Sequence, residues 1–135
     1  MEWPAPAAAA ADQGLADPQL LGSWSATRWQ YASRARSDLV VDVVAGLKGT
    51  VTMSLSGGAF VITWDVPGHG SGSVGGSVAM ADGELTLRPH GRGEPHVVRC
   101  RVSALTLALS GETSAWDFDG NGEEAADFAA VLVRL

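Results

Sequence analysis

An all-β fold, an antiparallel up-and-down barrel of roughly 8–10 strands, is what this 135-residue sequence predicts. Three observations lead there. Apolar and polar residues alternate with a period of two through run after run beyond Gly22, which is the pattern of a strand with one buried face. Tight-turn pairs such as Gly57-Gly58 and Asp82-Gly83 separate those runs. No stretch of length carries the period of an amphipathic helix, and short turns between consecutive runs favour a meander, because Greek keys need a long return connection.

Residues 1–18 read as an Ala/Pro-rich, disordered tail and 19–135 as one barrel domain. Asp17-Pro18-Gln19-Leu20-Leu21 suits a short helical turn before Gly22, with Asp17 as cap and Pro18 at its first position. Trp24–Tyr31 is the first strand and Leu39–Val44 the second, joined by the loop Ala32–Asp38. Thr50–Leu55 alternates Val51, Met53 and Leu55 with polar partners, and Phe60, Ile62, Trp64 and Val66 repeat at every second residue, so Val51–Val66 is a hairpin. Pro67–Ser73 is expected to be a Gly-rich loop at a barrel mouth. Gly76–Met80 and Glu84–Arg88 flank Asp82-Gly83, with Leu85 and Leu87 on one face. Glu94–Val102 puts Val98, Cys100 and Val102 on one parity and Arg99 and Arg101 on the other. A strand marked by Leu105, Leu107 and Leu109 is expected to end at Ser110-Gly111, before a last pair Thr113–Asp119 and Ala126–Leu135.

Composition narrows the function classes. Nine Lys and Arg against fifteen Asp and Glu leave a net charge of −6, which opposes binding to a phosphate backbone, so nucleic acid is not an expected partner. The apolar runs are too short for a membrane helix, and no membrane span is expected. Cys100 is the single cysteine and has no internal disulfide partner. Glu2 is acidic and no Lys or Arg precedes Arg28, unlike the basic, apolar start of a secretory signal. A cytoplasmic monomer or homodimer is expected.

Gly22-Ser23-Trp24 at the start of the first strand, Arg134 near the end of the last, the run Gly83-Glu84-Leu85-Thr86-Leu87 and the hairpin Trp116–Glu124 leading to Val131-Leu132-Val133-Arg134 together resemble small bacterial lipocalin-like domains. The resemblance extends from Leu21 to Leu135. It implies a calycin-type barrel with a cavity for a small apolar molecule. It also implies a structural latch in which Arg134 lies across Trp24 at the closed base.

Candidate ligand-binding residues follow from the apolar faces: Met53, Leu55, Phe60, Ile62, Trp64, Val66, Leu85 and Leu87, together with His96 and Trp116. The function expected is binding of a small hydrophobic molecule inside the barrel. Two alternatives stand beside it, a lipocalin-like isomerase or cyclase using an inward His96, Tyr31 or Arg, and a structural or dimerisation domain with a filled interior. No catalytic residue is singled out, since the sequence holds no Gly-x-Ser-x-Gly elbow.

Neither a cofactor nor a metal is expected. Asp117–Gly122 matches the first half of a calcium loop, but Phe128 stands where the closing Glu belongs; an acidic hairpin tip accounts for it. Gly70–Gly75 fits a dinucleotide-binding string without the helix N-terminus that string requires. His96 and Cys100, four residues apart on one strand, are about 13 Å apart and cannot share a zinc. His90 and His96 across the Gly91–Pro95 turn are the one metal pairing that geometry allows. Arg88, Arg99 and Arg101 read as solvated residues on the outer parity.

Overall fold

In a computed structural model of the chain, residues 19–36, 38–91, 95–116, 118 and 122–135 are described. The tail 1–18 and most of the acidic tip Asp117–Asn121 lie outside the described residues, and so do the expectations placed on those two segments. Nine strands form one antiparallel sheet: β1 Gly22–Ser33, β2 Val40–Asp42, β3 Thr50–Ser56, β4 Ala59–Val66, β5 Gly70–Ala81, β6 Glu84–Pro89, β7 His96–Val102, β8 Thr106–Trp116 and β9 Glu124–Arg134. Their order is β2-β1-β3-β4-β5-β6-β7-β8-β9, and β9 pairs back onto β1. The result is a closed eight-strand barrel, with β2 as a short flap. Along one edge of β1, residues 22–25 pair with β3 and residues 30–32 with β2, so the flap continues the wall where β3 has diverged.

The hairpin chemistry explains the meander. Asp82 and Gly83 both have positive φ, 52° and 79°, the backbone a two-residue turn needs to match the twist of its strands. Closure leaves no free edge along the barrel wall, which removes the unpaired rows that drive strand-to-strand aggregation.

Two strand boundaries differ from expectation. The segment Pro67–Ser73 is not a loop. Only Pro67–His69 turn, and Gly70 onward is β5, paired Val66 to Gly70 and Trp64 to Gly72; its Gly-Ser-Gly-Ser composition imitates a flexible linker while keeping period two. Likewise Ser110-Gly111 does not end a strand. β8 runs unbroken from Thr106 to Trp116, because a bulge between Gly111 and Ser114 absorbs one extra residue against β9.

The core is unevenly filled. Leu20, Trp24, Met53, Leu55, Val78, Leu85, Leu107 and Leu132 are fully buried at one end, where β1 begins and β9 ends. There the Leu135 N–H donates to Ser23 O at 2.9 Å and the Arg134 N–H to Leu105 O at 3.1 Å. The opposite end, reached by the turn after β4 and by the β1–β2 and β8–β9 connections, is open.

A candidate binding cavity at the open end

The cavity begins with what β5 lacks. Its inward positions include Gly70, Gly72 and Gly76, so much of this wall projects no side chain into the lumen. A Cβ on Gly72 would stand 2.8 Å from the Trp64 ring. The indole therefore lies against β5, in the space a side chain would occupy, and leaves the centre empty. At Gly76 the strands run so close that a Cβ would collide with the backbone of Arg88 on β6.

Two bulges build the opposite wall. On β1, the register against β9 shifts between Ala26 and Arg28, which reverses the inward parity. Trp24 and Ala26 point in before the shift; Trp29 and Tyr31 line the lumen after it. The β8 bulge does the same, carrying the inward face from Leu107 and Leu109 to Trp116. Tyr31 and Trp116 then stack with ring centroids 4.7 Å apart and planes 15° from parallel, while Trp29 meets Phe128 edge-on at 4.9 Å and 62°. Offset stacking and edge-to-face contacts are the arrangements the aromatic quadrupole favours.

The β2 flap is pinned under this wall. Asp42 Oδ1 accepts from the backbone N–H groups of Trp29 (3.2 Å), Val44 (3.0 Å) and Ala45 (3.1 Å). Above it, Arg36 and the Ser33 hydroxyl both bond Glu124 at the start of β9. Arg34 reaches Asp127 at 3.5 Å between exposed side chains, a contact worth little in water.

The cavity, open at this end, has a volume of about 590 Å³, within the usual range for small-molecule sites. Of the expected ligand-binding residues, Met53, Phe60, Ile62, Trp64, Val66, Leu87, His96 and Trp116 line it. Leu55 and Leu85 do not. They are 1% and 0% exposed, in the packed base, because their inward positions lie toward the closed end of their strands. Sequence parity says which face a residue takes but not its depth along the barrel. Outside the candidate ligand-binding set, Trp29, Tyr31, Val74, Val98, Glu123 and Phe128 also line the cavity, Tyr31 being expected inward only in the enzyme alternative. The first two are hidden from a parity reading by the reversal on β1, for which an out-of-step Trp24 and Trp29 is the available signal. His69, His96 and Glu123 are exposed at the rim.

The polar group set deeper is the Tyr31 phenol, which accepts the Trp29 indole N–H at 3.1 Å. Burial raises its pKa above the ordinary tyrosine value, the Trp29 bond offsets part of that rise, and the Glu123 carboxylate adds a still smaller push upward. The phenol is therefore protonated at neutral pH.

At the base, Arg134 Cζ stands 4.2 Å from the Trp24 ring centroid. Its Nη1 donates to Leu21 O at 2.8 Å and its Nε to Ala104 O at 3.0 Å, and Nη2 bonds Gln19 O. The Trp24 indole N–H donates to Leu20 O at 3.1 Å. Gly22 has φ +122°, and a Cβ there would come within 3.0 Å of Nη1, so glycine lets the guanidinium reach the indole. Among the described residues no group of His, Cys, Asp and Glu is arranged to hold a metal ion, and no helix is long and apolar enough to cross a membrane.

The chain is similar in structure to a lipocalin-like protein from Bacteroides uniformis ATCC 8492, with a TM-score of 0.53 and 16% sequence identity, over 87% of this chain and 99% of that one. At this identity the likeness is one of fold, and the fold is a lipocalin-like β-barrel. No protein-family model and no curated protein matches the chain.

Proposed function

We propose that this protein binds a small hydrophobic molecule inside its barrel. The observation that carries the reading is the half-filled interior: a cavity of about 590 Å³ with a predominantly apolar and aromatic lining, above a base that is fully packed. An interior that served only to hold the fold together would gain stability by filling, since empty volume forfeits dispersion contacts. Here bulges and inward glycines keep it open instead. The rim groups His69, His96 and Glu123 are exposed to solvent, so the enclosing surface of the lumen is the apolar and aromatic one, which favours a binding reading.

The test is titration with N-phenyl-1-naphthylamine, an uncharged apolar fluorophore, read by its own emission and by tryptophan quenching. Saturable one-site binding is expected, and Ile62→Trp, which fills the lumen from β4, should reduce it at least tenfold. Native mass spectrometry of the purified chain would identify any molecule it carries. Absence of binding by this probe and by a wider apolar panel would defeat the reading and leave a structural domain.

A further inference from the structure

The walls of the cavity say more about its ligand than that it is apolar. β4 and β8 stand four places apart in the eight-strand ring, and from these two strands Trp64, against Gly72, and Trp116, stacked on Tyr31, both line the lumen. Aromatic side chains on opposite strands of the lining offer stacking and edge contacts to a flat ring system. Among the described residues lining the cavity there is no Lys or Arg, and His69, His96 and Glu123 stand at the solvent-exposed rim. An anionic head group carried down into the lumen would therefore meet no Lys or Arg, which is unfavourable away from water.

One inward polar group has hydrogen-bonding capacity left over. The Tyr31 oxygen accepts from Trp29, and a phenol that accepts still has its own proton to donate. Among the described residues that indole bond is the hydroxyl's one hydrogen bond. The donated N–H also polarises the phenol, making it a better donor.

Resting on the binding reading above, we infer that the ligand is a flat, uncharged aromatic compound bearing one hydrogen-bond acceptor, a carbonyl or ring heteroatom, that receives the Tyr31 hydroxyl. Its ring system lies between the Trp64 and Trp116 walls and its acceptor points toward β1.

Three probes of one shape separate the contributions: 2-acetylnaphthalene has the acceptor, 2-ethylnaphthalene lacks it, and 2-naphthoate adds a negative charge. At neutral pH the ketone should bind about fivefold to tenfold tighter than the ethyl compound, the gain of one net hydrogen bond, and naphthoate should bind weakest. Tyr31→Phe should abolish the preference, so that the ketone and the ethyl compound bind the variant equally, and that residual saturable binding also shows that the variant is folded. Equal ketone and ethyl affinities, a ketone preference that survives Tyr31→Phe, or naphthoate binding tightest would overturn the ligand class. So would a cationic analogue, 2-(2-naphthyl)ethylammonium, binding tighter than the ketone. Failure of all of these while N-phenyl-1-naphthylamine still binds also overturns it; failure of that fluorophore as well overturns the binding reading itself.

Discussion

Single residues decide two unlike things in this barrel, how its base is closed and what its lumen can hold. Arg134 serves the base: three carbonyls from two chain segments and one indole face converge on its guanidinium. Removing it in Arg134→Ala should cost about 1–2 kcal/mol, the sum of partly exposed hydrogen bonds and one cation–π contact. Gly22→Ala should do similar damage by another route, combining backbone strain at φ +122° with a Cβ pressed against Nη1. Urea unfolding measures both, and neither variant should change probe affinity, because the base is remote from the cavity. Tyr31 acts in the lumen and leaves a signature in stability as well. Its pKa is raised on folding, so the folded state holds the phenolic proton more tightly than the unfolded chain does. The stability this contributes is complete below the unfolded value of about 10 and falls as pH rises from there toward the folded value. Wild type should thus lose stability above about pH 10 more steeply than Tyr31→Phe; parallel unfolding curves for the two would show that the phenol is not held in an apolar site.

At the scale of elements, the site is made by departures from regular strands. Gly72→Val tests β5: its side chain would occupy the place of the Trp64 ring, drive the indole into the lumen and weaken probe binding about tenfold or more, while the double variant with Trp64→Ala should recover part of that loss. Asp42 tests the flap. Its one carboxylate oxygen satisfies three backbone N–H groups, so Asp42→Ala should cost about 1–3 kcal/mol and Asp42→Asn, which keeps an acceptor, much less. These same departures mark how far the sequence can be read. Regular alternation makes β3, β4 and β6 legible, with Met53, Phe60, Ile62, Trp64 and Leu87 on the inward face. The Asp82-Gly83 turn is legible because its chemistry is local. A bulge has no local signature beyond a phase slip, so alternation alone leaves Trp29 and Tyr31 out of the site and divides β8 at Gly111. Gly70–Gly76 misleads for a different reason: glycine reads as a turn residue, whereas here it is a strand residue whose missing side chain is the useful feature.

For the whole molecule these pieces give a barrel of unequal halves, and unequal halves should not open together. The closed half ties the start of β1 to the end of β9 through backbone bonds, and its largest side chains are fully buried. The open half surrounds the cavity, and its seam between β7 and β8 is short of pairing: the ladder runs Arg99–Val102 against Leu107–Ser110, while His96–Val98 pair with β6 on the other side. Local opening free energy follows buried contacts and paired backbone, so the two halves should differ in native-state hydrogen exchange. Amides of Trp24, Met53, Leu107 and Leu132 should exchange only through global unfolding, and those of Val97, Arg99 and Ser110, on the facing edges of β7 and β8, through cheaper openings of the seam. A bound ligand binds the folded state alone and, at about 100 times its Kd, adds roughly 2.7 kcal/mol. That increment should appear in full at the globally exchanging amides of the base, as a slower rate under conditions where they report unfolding. At the seam it should appear only for openings that expel the ligand. Measuring both sets with and without N-phenyl-1-naphthylamine therefore tells whether the seam is a route into the cavity: seam amides slowed as much as the base mean that seam opening releases the ligand, and seam amides left unchanged mean that the ligand enters and leaves at the open end past His69 and Glu123.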